Sequence, residues 1–136
     1  MPNAGYSGTP LLKKLGIKEE MKVKLINQPD DYFYLLEKDI SNQLVGKKES
    51  PDFVHLFVRS KKEYEIEMKN LKPTCKVKPN IIIWASWYKK SSGITTDITE
   101  MDIRNYALQN DLVDVKVCAV SEQWSGLKLV VPLAKR

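Results

Sequence analysis

Two periods of apolar positions run through this chain, one near 3.6 residues and one of two, and they alternate along its length. Gly5 to Pro10 is rich in the turn formers Gly, Ser, Thr and Pro and leads into Leu11, Leu12, Leu15 and Ile17 at near-helical spacing, which predicts a short helix ending at Gly16. From Met21 to Ile26 the apolar Met21, Val23 and Leu25 alternate with Lys22 and Lys24, as in a half-exposed strand. Asp30 and Asp31 suit the positive end of a helix dipole, and Tyr32, Phe33, Leu35 and Leu36 follow as an apolar stripe, so a second helix is expected to about Lys38. Residues 39–51 carry a weaker pattern, with one short strand near Leu44 and Val45.

Phe53 to Val58 is an apolar run broken only by His55 and reads as a strand covered on both faces. Ser60 is a favourable N-cap for a helix in which Tyr64, Met68 and Leu71 recur, and Pro73 is expected to stop it. Ile81 to Trp84, continuing towards Trp87, predicts another buried strand, followed by a polar loop to Asp97. Thr99 and Asp102 have capping-box spacing before Ile103, Tyr106, Ala107 and Leu108, giving a helix to about Asn110. The alternation in Val115 to Val120 and again in Leu127 to Val131 predicts an antiparallel pair. Strands alternating with helices, closed by a hairpin, imply one α/β domain: a three-layer, Rossmann-like sandwich over residues 1–136 with a mainly parallel sheet and a C-terminal antiparallel hairpin.

Composition narrows the function classes. At 136 residues with 43% hydrophobic positions the chain can bury a core of ordinary size, and two Cys exclude a disulfide scaffold. Cys75 and Cys118, with His55 the single His, give no metal-ligand spacing, so no metal is expected. Apolar runs such as Ile81 to Ala85 are too short for a membrane span, and Met1 to Gly8 has neither the basic start nor the apolar run of an export signal. A cytoplasmic setting is expected. Net charge is +5, yet only three of the 22 basic residues are Arg, the residue that reads phosphate and guanine by a rigid fork, which disfavours a nucleic-acid reader. The excess is local: residues 61–90 hold eight basic and three acidic groups, while the flanks nearly balance.

Two resemblances follow. Leu71-Lys72-Pro73 before the strand Ile81 to Trp84, then a helix leading through Asn110-Asp111-Leu112 into a final strand pair, resembles the second half of a class I methyltransferase and implies a truncated form of that topology. The strings Gly5-Tyr6-Ser7-Gly8-Thr9-Pro10-Leu11, Leu15-Gly16-Ile17, Lys89-Lys90-Ser91-Ser92-Gly93, Thr96-Asp97, Thr99-Glu100, Asp114 to Val120 and Trp124-Ser125-Gly126-Leu127 resemble a family of small bacterial proteins with a domain of unknown function. That resemblance covers most of the chain and implies no activity; where such proteins carry a Gly before the first strand, this chain has Glu19-Glu20. The methyltransferase's cofactor loop is missing. Adenosyl cofactors need glycines after the first strand and an acid about 20 residues on, whereas here stand Asn27-Gln28-Pro29-Asp30 and then Lys47, Lys48 and Glu49. No cofactor is therefore expected.

In open α/β sheets ligands bind beyond the carboxyl ends of the parallel strands, which selects Asn27, Arg59, Ser60, Trp87, Tyr88 and Lys89. Lys89, Lys90, Ser91, Ser92 and Gly93 bring two cations, two hydroxyls and a flexible backbone, and the helix start near Thr99 adds partial positive charge, so this loop is a candidate anion subsite; an ordinary solvated turn is the competing reading. It lacks the phosphate-loop spacing of nucleotide hydrolases. Ser7, Gly8 and Thr9 form a secondary candidate, with capping of the first helix the favoured alternative. His55 reads as a hydrogen-bonded core residue, Cys75 and Cys118 as inert thiols, and Asp30, Asp31, Asp97 and Glu100 as caps and turns, which leaves no catalytic constellation. Trp84 and Trp87 should face opposite sides of the sheet, and Trp124 should pack on it.

The leading expectation is a non-catalytic methyltransferase-like module that binds a small anionic ligand or a protein partner, with a homodimer open through the sheet edges. The alternatives are an enzyme with a site around Arg59, Lys89 and Asp97, adenosyl-dependent methyl transfer included, and a weak nucleic-acid binder using Trp84, Trp87, Tyr88, Lys89 and Lys90.

Overall fold

The computed structural model describes residues 9–46 and 48–136; of the candidate residues, Ser7 and Gly8 lie outside that range, as does Lys47. Helices α1 (Leu11–Leu15), α2 (Tyr32–Leu36), α3 (Lys61–Val77) and α4 (Glu100–Gln109) accompany strands β1 (Val23–Ile26), β2 (Phe53–Phe57), β3 (Ile82–Tyr88), β4 (Val113–Ala119) and β5 (Trp124–Val130). The strands form one sheet of order β1-β2-β3-β5-β4. β1, β2 and β3 are mutually parallel, and β5 runs antiparallel to both β3 and β4, so four of the five strands share one direction. This is the expected parallel core with an antiparallel C-terminal pair.

The period of two along the strands separates two cores. Val54, Leu56, Ile83, Ala85, Trp87, Leu127 and Leu129 face Tyr64, Met68 and Leu71 of α3 and Ile103 and Ala107 of α4. Phe53, Phe57, Trp84 and Trp124 face Leu11 and Leu15 of α1 and Tyr32, Leu35 and Leu36 of α2. Trp84 and Trp87 thus lie on opposite faces, and every residue of β2 is buried, as a doubly covered parallel strand requires. Gly16 closes α1 in the left-handed conformation, with its N–H on the carbonyls of Leu12 and Lys13. Thr99 and Asp102 form the expected capping box, and Ser60 Oγ accepts from the Glu63 N–H at 3.1 Å.

Three expectations are corrected. Pro73 does not stop α3, which runs four residues further to Val77. A proline inside a helix loses one backbone hydrogen bond, but Leu71 and the half-buried Cys75 either side of it pack into the α3–α4 core, and the Lys78 N–H bonds the Thr74 carbonyl at 2.8 Å. Thr9 does not cap α1: Pro10 occupies the N-cap position, no side chain caps it, and its carbonyl takes the Lys13 and Lys14 N–H groups. Helix α2 is shorter than expected, because Glu37 turns left-handed at φ 60° and ends it before Lys38, and Asp31 at its start makes no side-chain cap. In the weakly patterned stretch, Leu44 forms a single parallel bridge to Val23 beside β1.

His55 sits fully buried at the centre of β2. Its Nδ1 lies 2.7 Å from the Tyr32 hydroxyl and its Nε2 lies 2.7 Å from Ser86 Oγ, so a neutral ring gives one hydrogen bond and receives the other. Burial pushes its pKa down to about 3. This matches the reading of a satisfied core histidine. Gly126 faces Ser86 across the β3–β5 ladder, and a Cβ there would stand 3.1 Å from Trp84 and Val120 and 3.2 Å from Ser86 Oγ. Gly126→Ala is therefore expected to lower stability by about 1–3 kcal/mol through overpacking, measured by urea unfolding.

Candidate functional site

β3 delivers Trp87 and Tyr88 to its carboxyl end, where the Lys89 N–H is pinned to the Gln123 carbonyl of the β4–β5 turn at 2.8 Å. A single 3-10 turn follows at Lys90–Ser92 and closes on Gly93, left-handed at φ 76°. Ser92 Oγ donates to the Lys89 carbonyl at 2.6 Å and accepts from the Ile94 N–H at 3.1 Å, so this hydroxyl shapes the turn. The loop is then fastened to the start of α3. Thr96 Oγ1 donates to the Arg59 carbonyl at 2.7 Å, and the Asp97 carboxylate accepts the Lys61 N–H at 2.9 Å.

Between this loop, the first turn of α4 and β5 opens a cavity of about 830 Å³. Trp87, Lys89, Lys90, Ser91 and Gly93 of the candidate set line it. Lys89 and Lys90 make no ion pair among the described residues. The α4 end presents Thr99, Glu100 and Met101, and Ile94 and Ile98 add an apolar wall. Asp102, which caps this turn, is held below the usual carboxylate range: backbone and hydroxyl hydrogen bonds from Thr99 and the charge of Lys61 together outweigh the desolvation that opposes them.

Asn27, Arg59 and Ser92 do not line the cavity. Asn27 ends β1, the outer strand, in the left-handed region at φ 56°. Arg59 lies with its guanidinium carbon 5.6 Å from the centroid of the Trp124 ring, and Trp124, buried at the start of β5, stacks on Tyr88 at 4.1 Å and meets Phe57 edge-on at 5.0 Å. Trp124 therefore packs on the sheet as expected. The trio Arg59, Lys89 and Asp97 is divided: Arg59 covers Trp124, while Asp97 holds the start of α3.

Arg104 was not selected by the strand-end rule, yet it lines the cavity, ion-paired to Glu100 one turn earlier and to Asp114 of β4 at 3.0 Å. The Glu100–Arg104 spacing of four was the available signal; the Asp114 bond depends on α4 packing beside β4. Cys75 and Cys118 are both half-buried, and burial raises both thiols above their ordinary range, as expected of inert cysteines. Among the described residues no cluster of His, Cys, Asp and Glu is arranged to hold a metal, and no helix is long and apolar enough to cross a membrane.

This sheet order, with helices on both faces and a reversed strand inserted before the last, defines a Rossmann-like core of the methyltransferase type. Solved structures are similar to it in fold. A protein of the NADB-Rossmann superfamily from Streptococcus agalactiae aligns with a TM-score of 0.57 at 8% identity, covering 90% of this chain and 68% of that one. An uncharacterized protein from Listeria monocytogenes serotype 4b aligns at 0.58 and 9%, covering 92% and 68%. The M1A22 tRNA methyltransferase TrmK of B. subtilis aligns at 0.53 and 10%, covering 97% and 68%. At such identities the likeness is one of fold. No protein-family model matches the chain, and no curated protein matches it in sequence.

Proposed function

We propose that this chain is a methyltransferase-like module that binds a small anionic ligand in the cavity beyond the carboxyl end of β3 and does not itself catalyse a reaction. The observation that carries the reading is the convergence of Lys89 and Lys90, unpaired among the described residues, with the first turn of α4 on one cavity at a strand carboxyl end. Trp87, Ile94 and Met101 supply apolar surface for the body of the ligand, and Ser91 supplies a hydroxyl. Arg104 already has two carboxylate partners, so the lysines are the groups that recognise charge.

A thermal-shift screen with nucleotides, adenosyl compounds and metabolite acids tests this. A ligand at 100 times its dissociation constant stabilises the fold by about 2.7 kcal/mol. Losing both lysine contacts in the double variant Lys89→Gln, Lys90→Gln should weaken anion binding about 10- to 100-fold, since a hydrogen bond at a solvated position contributes about 0.5–1.5 kcal/mol and two are lost. No shift with any anion, or equal binding by the double variant, would overturn the reading. The likeness to a tRNA methyltransferase favours a second reading, transfer of a methyl group from an adenosyl cofactor. A shift with an adenosyl compound that survives the lysine substitutions would favour it, against the absence of glycine in Asn27-Gln28-Pro29-Asp30.

A further inference from the structure

At the opposite end of the sheet from Lys89, the last turns of α3, the turn after α4 and the end of β5 enclose a second cavity of about 310 Å³. Its walls are mainly apolar: Met68, Cys75, Pro79, Leu112 and Val131. The continuation of α3 past Pro73 creates one side of it, because Cys75 and Lys76 belong to the turn that a helix stopped at the proline would lack. Cations gather at the rim. Lys135 is paired with Asp111, and Arg136 Nε donates to the Val131 carbonyl at 2.8 Å, whereas Lys72 and Lys76, one turn apart on α3, have no carboxylate partner among the described residues. Asp111 is the one acid among the described residues that line the cavity, and its carboxyl is held below its usual range first by the Lys135 hydrogen bond and charge, then also by the charges of Lys72 and Lys76.

We infer that this cavity binds a small amphipathic carboxylate, its hydrocarbon body among Met68, Cys75, Leu112 and Val131 and its charged head between Lys72 and Lys76. An apolar chamber with two ammonium groups at its mouth, neither in an ion pair among the described residues, fits a ligand with one apolar and one anionic end. A fully polar anion would leave the walls without an apolar partner, and a neutral hydrocarbon would gain nothing from the two exposed ammonium groups. The volume lies at the small end of the range for ligand pockets, so the body is a medium-length chain or a single ring system. The site is separate from the crevice at the β3 carboxyl end and stands or falls independently of it.

Cys75 provides a reporter and Cys118, whose neighbours lie on the other face of the sheet, an internal control. With decanoate as the probe, kept below its micelle concentration, alkylation of Cys75 should slow at least tenfold at saturation while alkylation of Cys118 keeps its rate, both read by peptide mass spectrometry. The variant Lys72→Gln, Lys76→Gln, altered only at exposed positions, should raise the dissociation constant for decanoate about tenfold, the loss expected for charge-assisted contacts at a partly solvated rim. Decanol should bind more weakly than decanoate to the unaltered protein and equally to both forms. Unchanged alkylation of Cys75 at saturating decanoate, protection of both cysteines alike, or equal affinity for decanoate and decanol would each overturn the assignment.

Discussion

Replacing His55 with Leu should destabilise the fold by about 3–5 kcal/mol, measured by urea unfolding at pH 7.5, because Leu fills most of the volume but leaves two buried hydroxyls without a partner. Tyr32 and Ser86 are 2% and 0% exposed, and each has its 2.7 Å hydrogen bond to the His55 ring. Each orphaned buried group costs about 1–3 kcal/mol. The same reasoning gives an internal check: the triple variant Tyr32→Phe, His55→Leu, Ser86→Ala removes every member of the relay together and should recover much of the loss. If the single variant matches the parent in stability, or the triple variant is no better than the single, the hydrogen-bond account of this core fails.

Acid should unfold the protein earlier than its carboxylates alone would. His55 is the only histidine, and burial holds its pKa at about 3 in the folded state against about 6.5 in an unfolded chain. The unfolded chain therefore binds the extra proton between these values, so this contribution to stability is fully present above pH 6.5 and is lost as pH falls towards 3. By pH 4.5 the loss amounts to about 3 kcal/mol. Carboxyls held low by their partners, Asp52 and Asp111 among them, lose their stabilisation only as pH falls below about 4. The interval from pH 6.5 to 4.5 thus isolates the histidine. Denaturant titrations at half-unit steps should show the fall in the parent and a nearly flat line in His55→Leu; a flat line in the parent would contradict the burial of a neutral ring.

Much of the fold was legible because its signals are local. The Thr99–Asp102 box, Ser60 as a cap and Gly16 as a left-handed stop are satisfied by backbone groups within four residues, so spacing alone specifies them. Pro73 misled for the complementary reason: its local cost was outweighed by packing of Leu71 and Cys75 against distant residues. The candidate cavity was legible in part. Lys89, Lys90, Ser91 and Gly93 lie within five residues and reach it together, but Ser92 turns back on its own loop, and Asn27 follows an outer strand whose place no sequence spacing reveals.

By itself the sequence determined which segments become strands and helices, which strand is covered on both faces and that the chain ends in an antiparallel pair, since these follow from periodicity and capping chemistry along the backbone. The sequence also placed Lys76 and Lys78 at the opposite end of β3 from Lys89 and Lys90; only the tertiary structure decided that Arg104 meets Asp114, that Tyr32, His55 and Ser86 form one buried relay, and that each end of the sheet holds a cavity. Those outcomes depend on sheet order and on the direction each strand runs. The seven-residue strand β3 spans about 23 Å, so Lys72 and Lys76 before it and Lys89 and Lys90 after it emerge at opposite ends of the sheet, where they meet different cavities.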